Sequence, residues 1–221
     1  GEVMKAKILG QDVKKRTGAI DVNGTRRELA VDDIVDIAEM HADPGPAAQP
    51  MYGGEPRTSP DQQLMDQQFI DGAVRHAGTR EAASQEWMQA GWEYHDRGDL
   101  VTAMMRFNQA WLLDPRNPDV FWGFGTVSLA KRNADEAIEM FQKALGLDPR
   151  HAIARCSLGS AYQLKMAEIV QNRQTDQRSA AERYLEQSAR ACQQGAALDP
   201  TEEYCFTTWA KTLAFQGKYA E

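Results

Sequence analysis

The chain has few cysteines and no long apolar run. Its three cysteines, Cys156, Cys192 and Cys205, include no Cys-x-x-Cys pair, so neither a disulfide framework nor a zinc site is predicted. We expect them to act as small apolar residues, with a single Cys156–Cys192 bridge as an alternative in an oxidising compartment. No stretch approaches the roughly 18 to 20 apolar residues that cross a bilayer as a helix, so no transmembrane segment is predicted.

The chain also lacks a basic stripe and a catalytic motif. Its formal net charge is −7, and charges of both signs are mixed along it, which argues against a nucleic acid partner. Glu93, His95 and Asp96 lack the second histidine that a zinc-binding helix carries four residues away, so they are interpreted as solvated side chains. Gly123-Phe-Gly125 lacks the third glycine of a nucleotide loop. We therefore predict no enzyme activity, no metal and no cofactor.

What the chain does contain is an internal repeat. Pro115 and Pro149 lie in identical Leu-Asp-Pro-Arg phrases 34 residues apart, which is the length of a two-helix repeat unit. A third Leu-Asp-Pro phrase ends at Pro200, 51 residues after Pro149, so this repeat carries 17 extra residues. The other residues of the predicted structural signature recur on the same step: Gly91, Ala103, Phe107, Ala110, Gly125, Ala137, Phe141, Ala144 and Gly159. Because one such unit cannot bury its apolar face alone, the pattern predicts stacked helical pairs.

Small residues are expected where the two helices of a repeat cross, because bulk there would separate them. The predicted contacts are Gly91 with Ala103, Gly125 with Ala137, and Gly159 with Ser188. Aromatic residues such as Phe107 and Phe141 are expected to fill the layers between the helices.

Residues 1–57 differ in composition from the rest and form a predicted N-terminal extension of mixed or irregular structure. The stretch 43–56 is rich in proline and glycine and is interpreted as a linker. Upstream, Asn23-Gly24 predicts a hairpin turn, and apolar residues at helical spacing predict a short helix over residues 32–40. We expect the extension to pack on the repeats or on a second protein, because it is too short to bury much of its own surface. A tag or natural leader is expected upstream of Gly1.

Helix-start signals divide the remaining chain, a predicted domain over residues 58–221. Ser59-Pro60 predicts a capping helix over residues 59–77, and the first helix of the next unit is predicted from Glu86 to Arg97. In the insertion, Ser179-Ala-Ala-Glu182 is a capping box, so we expect two lengthened helices joined by a polar loop near residues 171–178. The predicted units are about 79–117, 118–151, 152–202 with the insertion, and a partial repeat over 203–221.

These residues resemble the tetratricopeptide repeat (TPR) family over Thr79 to Gly217. The resemblance implies an all-α fold, an α-solenoid in which helix-turn-helix repeats stack as a right-handed superhelix. Departures from the family pattern are Ser128 for tyrosine, Arg132 for glycine and Gly195 for alanine. The run from Gly98 to Gly125 further resembles bacterial envelope proteins with lipoprotein-type leaders. That likeness implies a periplasmic or outer-membrane-anchored protein, with a cytoplasmic location as the alternative.

The resemblance also implies a binding surface, because in this family the first helix of each repeat lines a concave groove for a protein or peptide partner. Carried over residue by residue, the groove positions are Gln85, Met88, Trp92, His95, Asp96, Asp119, Trp122, Thr126, Leu129, Ile153, Cys156, Ser160, Gln163, Tyr204, Thr207 and Lys211. Chaperone-binding members hold a terminal carboxylate with lysines and asparagines at such positions. Here Met88, Trp92 and Trp122 stand instead, so that carboxylate clamp is not predicted.

Two functions follow from this interpretation. The first is a non-catalytic adaptor or assembly factor whose groove takes a peptide on Trp92 and Trp122, since large aromatic side chains often anchor protein interfaces. With equal weight, the two tryptophans pack instead on the chain's own N-terminal extension. The second function is self-association, giving a homo-oligomer through residues 1–57 or through the unpaired last helix, predicted from Thr201 to Phe215.

Overall fold

The computed structural model of the chain describes residues 6–12, 17–22, 25–30, 45–54, 56–171 and 178–217. The chain divides into two compact units, Gly1–Gly45 and Pro46–Glu221. The second unit thus begins at Pro46 rather than at residue 58, because the predicted linker belongs to it.

The first unit contains a three-stranded antiparallel sheet in the order β1-β2-β3. Its strands are β1 (Ala6–Asp12), β2 (Thr17–Val22) and β3 (Thr25–Ala30). Val22 pairs with Thr25, so the strands that flank Asn23-Gly24 confirm the predicted hairpin. The helix predicted over residues 32–40 lies outside the described residues.

The second unit is built from helices that confirm the predicted all-α repeat architecture. The helices are α1 (Pro60–Ala77), α2 (Arg80–Asp96), α3 (Leu100–Leu113), α4 (Pro118–Ala130), α5 (Ala134–Leu147), α6 (Ala152–Gln171), α7 (Arg178–Leu198) and α8 (Glu203–Phe215). The pairs α2/α3, α4/α5 and α6/α7 are three helix-turn-helix repeats between α1 and the single helix α8. The lengthened α6 and α7 are as predicted for the repeat with the insertion. In the described part of the chain, no helix is long and apolar enough to cross a membrane.

Capping residues set most helix starts. Ser59 accepts a hydrogen bond from the Gln62 amide in a complete capping box at the start of α1, as the sequence indicated. The predicted start at Glu86 was wrong, because Thr79 already caps α2 by accepting from the Ala82 amide. Ser179 does not cap α7 either, since the helix includes Arg178 before it. Polar capping residues thus mark the helix starts, but for α2 and α7 the sequence analysis chose the wrong residue as the start.

The core is organised around buried phenylalanines. Phe107, Phe124 and Phe141 are fully buried, and burial of such a side chain stabilises the fold by about 1.5 to 3 kcal/mol. Gly91 and Gly125 face the second helix of their repeats. The nearest atoms to a Cβ on these glycines would be ring atoms of Phe107 and Phe141, so each glycine makes room for a buried ring.

In the third repeat the close approach is of a different kind. A Cβ on Gly159 would meet the Cys192 Sγ atom and lie 3.3 Å from the Ser188 carbonyl oxygen. The predicted contact with Ser188 is therefore confirmed, and the thiol is the bulkier neighbour. Without a phenylalanine at this crossing, glycine, serine and cysteine alone let α6 and α7 approach.

The stretch interpreted from the sequence as a linker instead contains a strap, residues 46–54, 56 and 57, that is hydrogen-bonded to the repeats. The buried Asn108 of α3 accepts a hydrogen bond from the Tyr52 amide (3.2 Å) and donates to the carbonyl oxygens of Ala47 and Gln49 (both 2.8 Å). Met51 packs against the core cluster of the first two repeats. One polar side chain thus satisfies three backbone groups, and burial of Asn108 depends on those bonds.

The end of the strap is fixed to α1. Arg57 forms a two-pronged ion pair with Asp66, with donor–acceptor distances of 2.7 and 2.6 Å, and its guanidinium lies 4.2 Å from the centre of the Tyr52 ring. The hydrogen bond to Asp66 raises the pKa of Arg57 above its ordinary value. Bidentate geometry and ring stacking are the interactions for which arginine is suited. The strap therefore links α1 to the second helices.

Candidate functional site

The tryptophan pair, Trp92 on α2 and Trp122 on α4, lies where the first helices of the first two repeats meet. The two ring centres are 4.4 Å apart with an interplanar angle of 42°. Trp92 also meets Phe107 edge to face at 5.1 Å, and the Trp122 Nε1–H donates to Ser157 Oγ on α6 at 3.2 Å. Both indoles remain partly exposed. The pair therefore forms an aromatic surface that spans the groove positions of two repeats.

Each end of the pair is flanked by a histidine. The His95 ring centre lies 5.5 Å from that of Trp92, and the His151 ring centre 5.8 Å from that of Trp122. His95 Nδ1 is 3.4 Å from Asp96 Oδ1, and His151 Nε2 is 2.8 Å from Asp119 Oδ1. The side chains form one continuous row in the order Asp96, His95, Trp92, Trp122, His151, Asp119.

His151 was not among the predicted groove residues, because it precedes α6 rather than lying on a first helix. The Ala154 amide points to its Nδ1 atom at 3.4 Å, which leaves Nε2 to donate to Asp119. The sequence signal that could have identified His151 was its place as a polar residue between the Leu-Asp-Pro-Arg phrase and the start of α6. Among the described residues, no group of three or more His, Cys, Asp or Glu side chains could hold a metal ion.

The disulfide end of the groove, formed by α6, α7 and α8, is different. Cys156 and Cys205 form a buried disulfide with their Cα atoms 5.1 Å apart. This overturns both cysteine predictions, the apolar role for these two residues and the Cys156–Cys192 bridge. Cys192 is a buried free thiol, and its burial raises its pKa to about 11. The partner of Cys156 lies on α8 because that helix crosses α6 directly.

Polar groove positions at this end are also bonded within the chain. The Ser160 and Tyr204 hydroxyls are 2.8 Å apart. The Gln163 amide donates to the Thr208 carbonyl oxygen at 3.0 Å and to Thr212 Oγ1 at 2.6 Å. The side chains that the sequence assigned to a partner are thus bonded to helix α8 of the same chain.

The remaining predicted positions divide between core and surface. Met88 is 5% exposed and belongs to the core, and Leu129 packs on the cluster around Phe141. The Thr126 and Thr207 hydroxyls donate to the carbonyl oxygen four residues earlier. Gln85 and Lys211 are exposed, and Ile153 is half-buried. The structure thus gathers Trp92, Trp122, His95 and Asp96 into one surface and removes Met88 from it.

The strap occupies another surface. Its hydrogen bonds go to Asn108 on α3, to the Lys131 ammonium after α4, which donates to the Ala48 carbonyl oxygen at 3.3 Å, and to α1. The ring contacts and hydrogen bonds of the tryptophan pair go to Phe107, to Ser157 and to the flanking histidines. The strap part of the N-terminal extension therefore packs on α1, on α3 and on the residue that follows α4.

Comparison with known proteins identifies the fold. No protein-family model and no curated protein matches the chain. A thermophilic TPR protein from Thermus thermophilus is 19% identical, with a TM-score of 0.54 over 61% of this chain and 66% of that chain, so the match spans less than two thirds of that protein. The first TPR of Spaghetti (RPAP3) bound to an HSP90 peptide is 15% identical, with a TM-score of 0.48 over 61% and 93% of the two chains. MamA is 14% identical, with a TM-score of 0.47 over 72% and 85%.

Proposed function

From the TPR fold of this chain we propose that it is a non-catalytic interaction scaffold whose groove binds a peptide segment or helix of a partner protein. The observation that carries the proposal is the tryptophan pair. Trp92 and Trp122 pack on a core whose phenylalanines are buried, yet both indoles stay partly exposed. Tryptophan is enriched among the side chains that contribute most to binding at protein interfaces.

The shape of the site favours an elongated partner. The row from Asp96 to Asp119 crosses α2, α4 and the start of α6, so a ligand along it touches three elements. Backbone groups within helices are already paired, so recognition here depends on side chains. An extended peptide or one face of an amphipathic helix presents side chains at the spacing that such a row requires.

Selection of peptides from a phage-displayed random library tests this proposal. Replacing both tryptophans (Trp92→Ala with Trp122→Ala) is expected to weaken binding of the selected peptides by at least about tenfold, because interface tryptophans are frequent hot spots. Trp92 also packs on Phe107, so we expect the double variant to be less stable as well.

Trp111→Ala is the matched control. Trp111 lies on α3 and is half-buried against the same core, so its removal costs packing without touching the groove. Selected peptides should bind this variant as they bind the unmodified chain. Undiminished binding to the Trp92/Trp122 double variant would reject the groove as the binding site.

We propose further that the chain acts as an adaptor or assembly factor in a bacterial envelope. The buried Cys156–Cys205 disulfide supports this placement, because disulfides form and persist in oxidising compartments. Protein recovered from the periplasm and unfolded without reductant should show one reactive thiol, that of Cys192. Three reactive thiols in protein from its native compartment would contradict the placement.

A second candidate function is self-association through α8. Phe206 and Phe215 are 43% and 63% exposed on this single helix, and exposed aromatic surface of this kind marks interaction sites. Light scattering across a range of concentrations tests it: a dimer that Phe206→Ser with Phe215→Ser converts to a monomer supports the candidate. A monomer at every concentration of the unmodified chain rejects it.

A further inference from the structure

The proposed groove has carboxylates, but no lysine or arginine, beside the tryptophan pair. Asp96 and Asp119 stand at the two ends of the row, with side chains 80% and 57% exposed. The groove positions on α2 and α4, which are 85, 88, 92, 95, 96, 119, 122, 126 and 129, include no lysine or arginine. The aromatic surface thus lies between two carboxylates that face solvent.

Two of the arginines that lie close to this row in sequence make contacts outside it. Arg97 follows Asp96, but its guanidinium lies 5.5 Å from the Tyr94 ring centre and 3.7 Å from the Glu93 carboxylate. Arg155, one turn beyond His151, donates to Gln194 and to the Pro149 carbonyl oxygen. These two cations therefore do not neutralise the carboxylates of the row.

From this arrangement we infer that the groove selects a cationic peptide segment, in which a lysine or arginine side chain lies on the tryptophan pair with its charge beside Asp96 or Asp119. Indole is the strongest aromatic partner of a cation, and a guanidinium both stacks on its face and pairs with a carboxylate. An acidic segment is repelled by the same carboxylates. The inference rests on the proposed groove and adds the chemistry of its ligand.

Three capped peptides of equal length test the inference, differing only at two positions that hold arginine, its neutral near-isostere citrulline, or glutamate. Binding is followed by the NMR signals of the Trp92 and Trp122 indole N–H groups at physiological ionic strength. We expect the arginine peptide to bind about five to tenfold more tightly than the citrulline peptide, from one cation–π contact and one carboxylate pair. The glutamate peptide should bind most weakly.

Charge variants distinguish the contribution of the two groove carboxylates to arginine binding from that of the chain's net charge of −7. Asp96→Asn with Asp119→Asn should reduce the arginine preference to the roughly two- to fivefold that the cation–π contact alone supplies. The matched control is Glu139→Gln with Glu186→Gln, which removes the same charge from exposed positions on α5 and α7. The arginine preference should survive in this control.

The outcomes distinguish the inference from the proposed function. Equal affinity of the arginine and citrulline peptides overturns the charge selection and leaves a groove that binds peptides. An affinity for the arginine peptide that is unchanged by Trp92→Ala with Trp122→Ala places the binding elsewhere and overturns both. Indole signals that move with none of the three peptides overturn both as well.

Discussion

The two ends of the groove use equivalent positions in opposite ways. Trp122 and Cys156 occupy the same place in successive repeats, 34 residues apart, yet Trp122 is partly exposed while Cys156 is buried in a disulfide. Trp92 and Ser160 are equivalent as well, and Ser160 is bonded to Tyr204. Repeat register therefore determines which face a side chain lies on. Whether that side chain is free to bind depends on the next helix.

The two ends are also braced differently. At the disulfide end, α8 crosses the first-helix face and ties it with a disulfide and with the bonds of Gln163. At the other end, the strap binds the second helix α3 through Asn108. The repeats are thus braced from the second helix α3, and the indoles of Trp92 and Trp122 on the first helices stay partly exposed.

The largest expected effect comes from breaking the brace at the disulfide end. Cys205→Ser removes a cross-link between residues 49 positions apart, and the chain-entropy relation for a loop of this length gives a loss of about 4 kcal/mol in the free energy of unfolding. Denaturant unfolding of the variant, followed by circular dichroism, measures the loss. Reductant should destabilise the unmodified chain by a similar amount.

Cys192→Ala is the control for this experiment. It removes the buried free thiol and leaves the disulfide, so its unfolding should remain sensitive to reductant. Unfolding of the unmodified chain that does not change with reductant would mean that the disulfide adds nothing to stability, and the contrast between the two ends would then lose its main physical cause.

The second effect tests the strap. Asn108→Ala removes the partner of the Tyr52 amide and of the Ala47 and Gln49 carbonyl oxygens. Lost bonds to buried groups cost about 1 to 3 kcal/mol, so we expect a loss of that size. Hydrogen exchange of the Tyr52 amide should accelerate, whereas Gln142→Ala, at an exposed position on α5, should change neither quantity. An unchanged Tyr52 exchange rate would show that Asn108 does not hold the strap.

The parts of this structure that the sequence predicted depend on local chemistry or on repeat spacing. The Ser59 cap and the hairpin at Asn23-Gly24 need only neighbouring residues, and the 34-residue step placed the helical pairs. The strap was misread because proline and glycine also mark loops, and Asn108 looks like any polar residue of a helix until three backbone groups meet it.

The candidate site shows the same limit. Register placed Trp92 and Trp122 on one surface, but the Cys156–Cys205 pairing depends on the path of α8 across α6, which no local pattern encodes. The histidine at position 151 was missed for a similar reason, since its contact with Asp119 joins residues 32 positions apart. Contacts between helices of different repeats are thus what the sequence alone could not supply.

The smallest expected loss of stability comes from a single hydrogen bond at the disulfide end. Tyr204→Phe removes one hydroxyl from the pair with Ser160, and Tyr204 is 38% exposed, so the loss should be about 0.5 kcal/mol, at the low end for a hydrogen bond. A double-mutant cycle with Ser160→Ala isolates the coupling. A coupling near zero would mean that the hydroxyl pair does not help to close this end. The disulfide and the bonds of Gln163 would still hold α8 against α6, and Ser160 would be available to a ligand in the same way as Trp92, its equivalent in the first repeat.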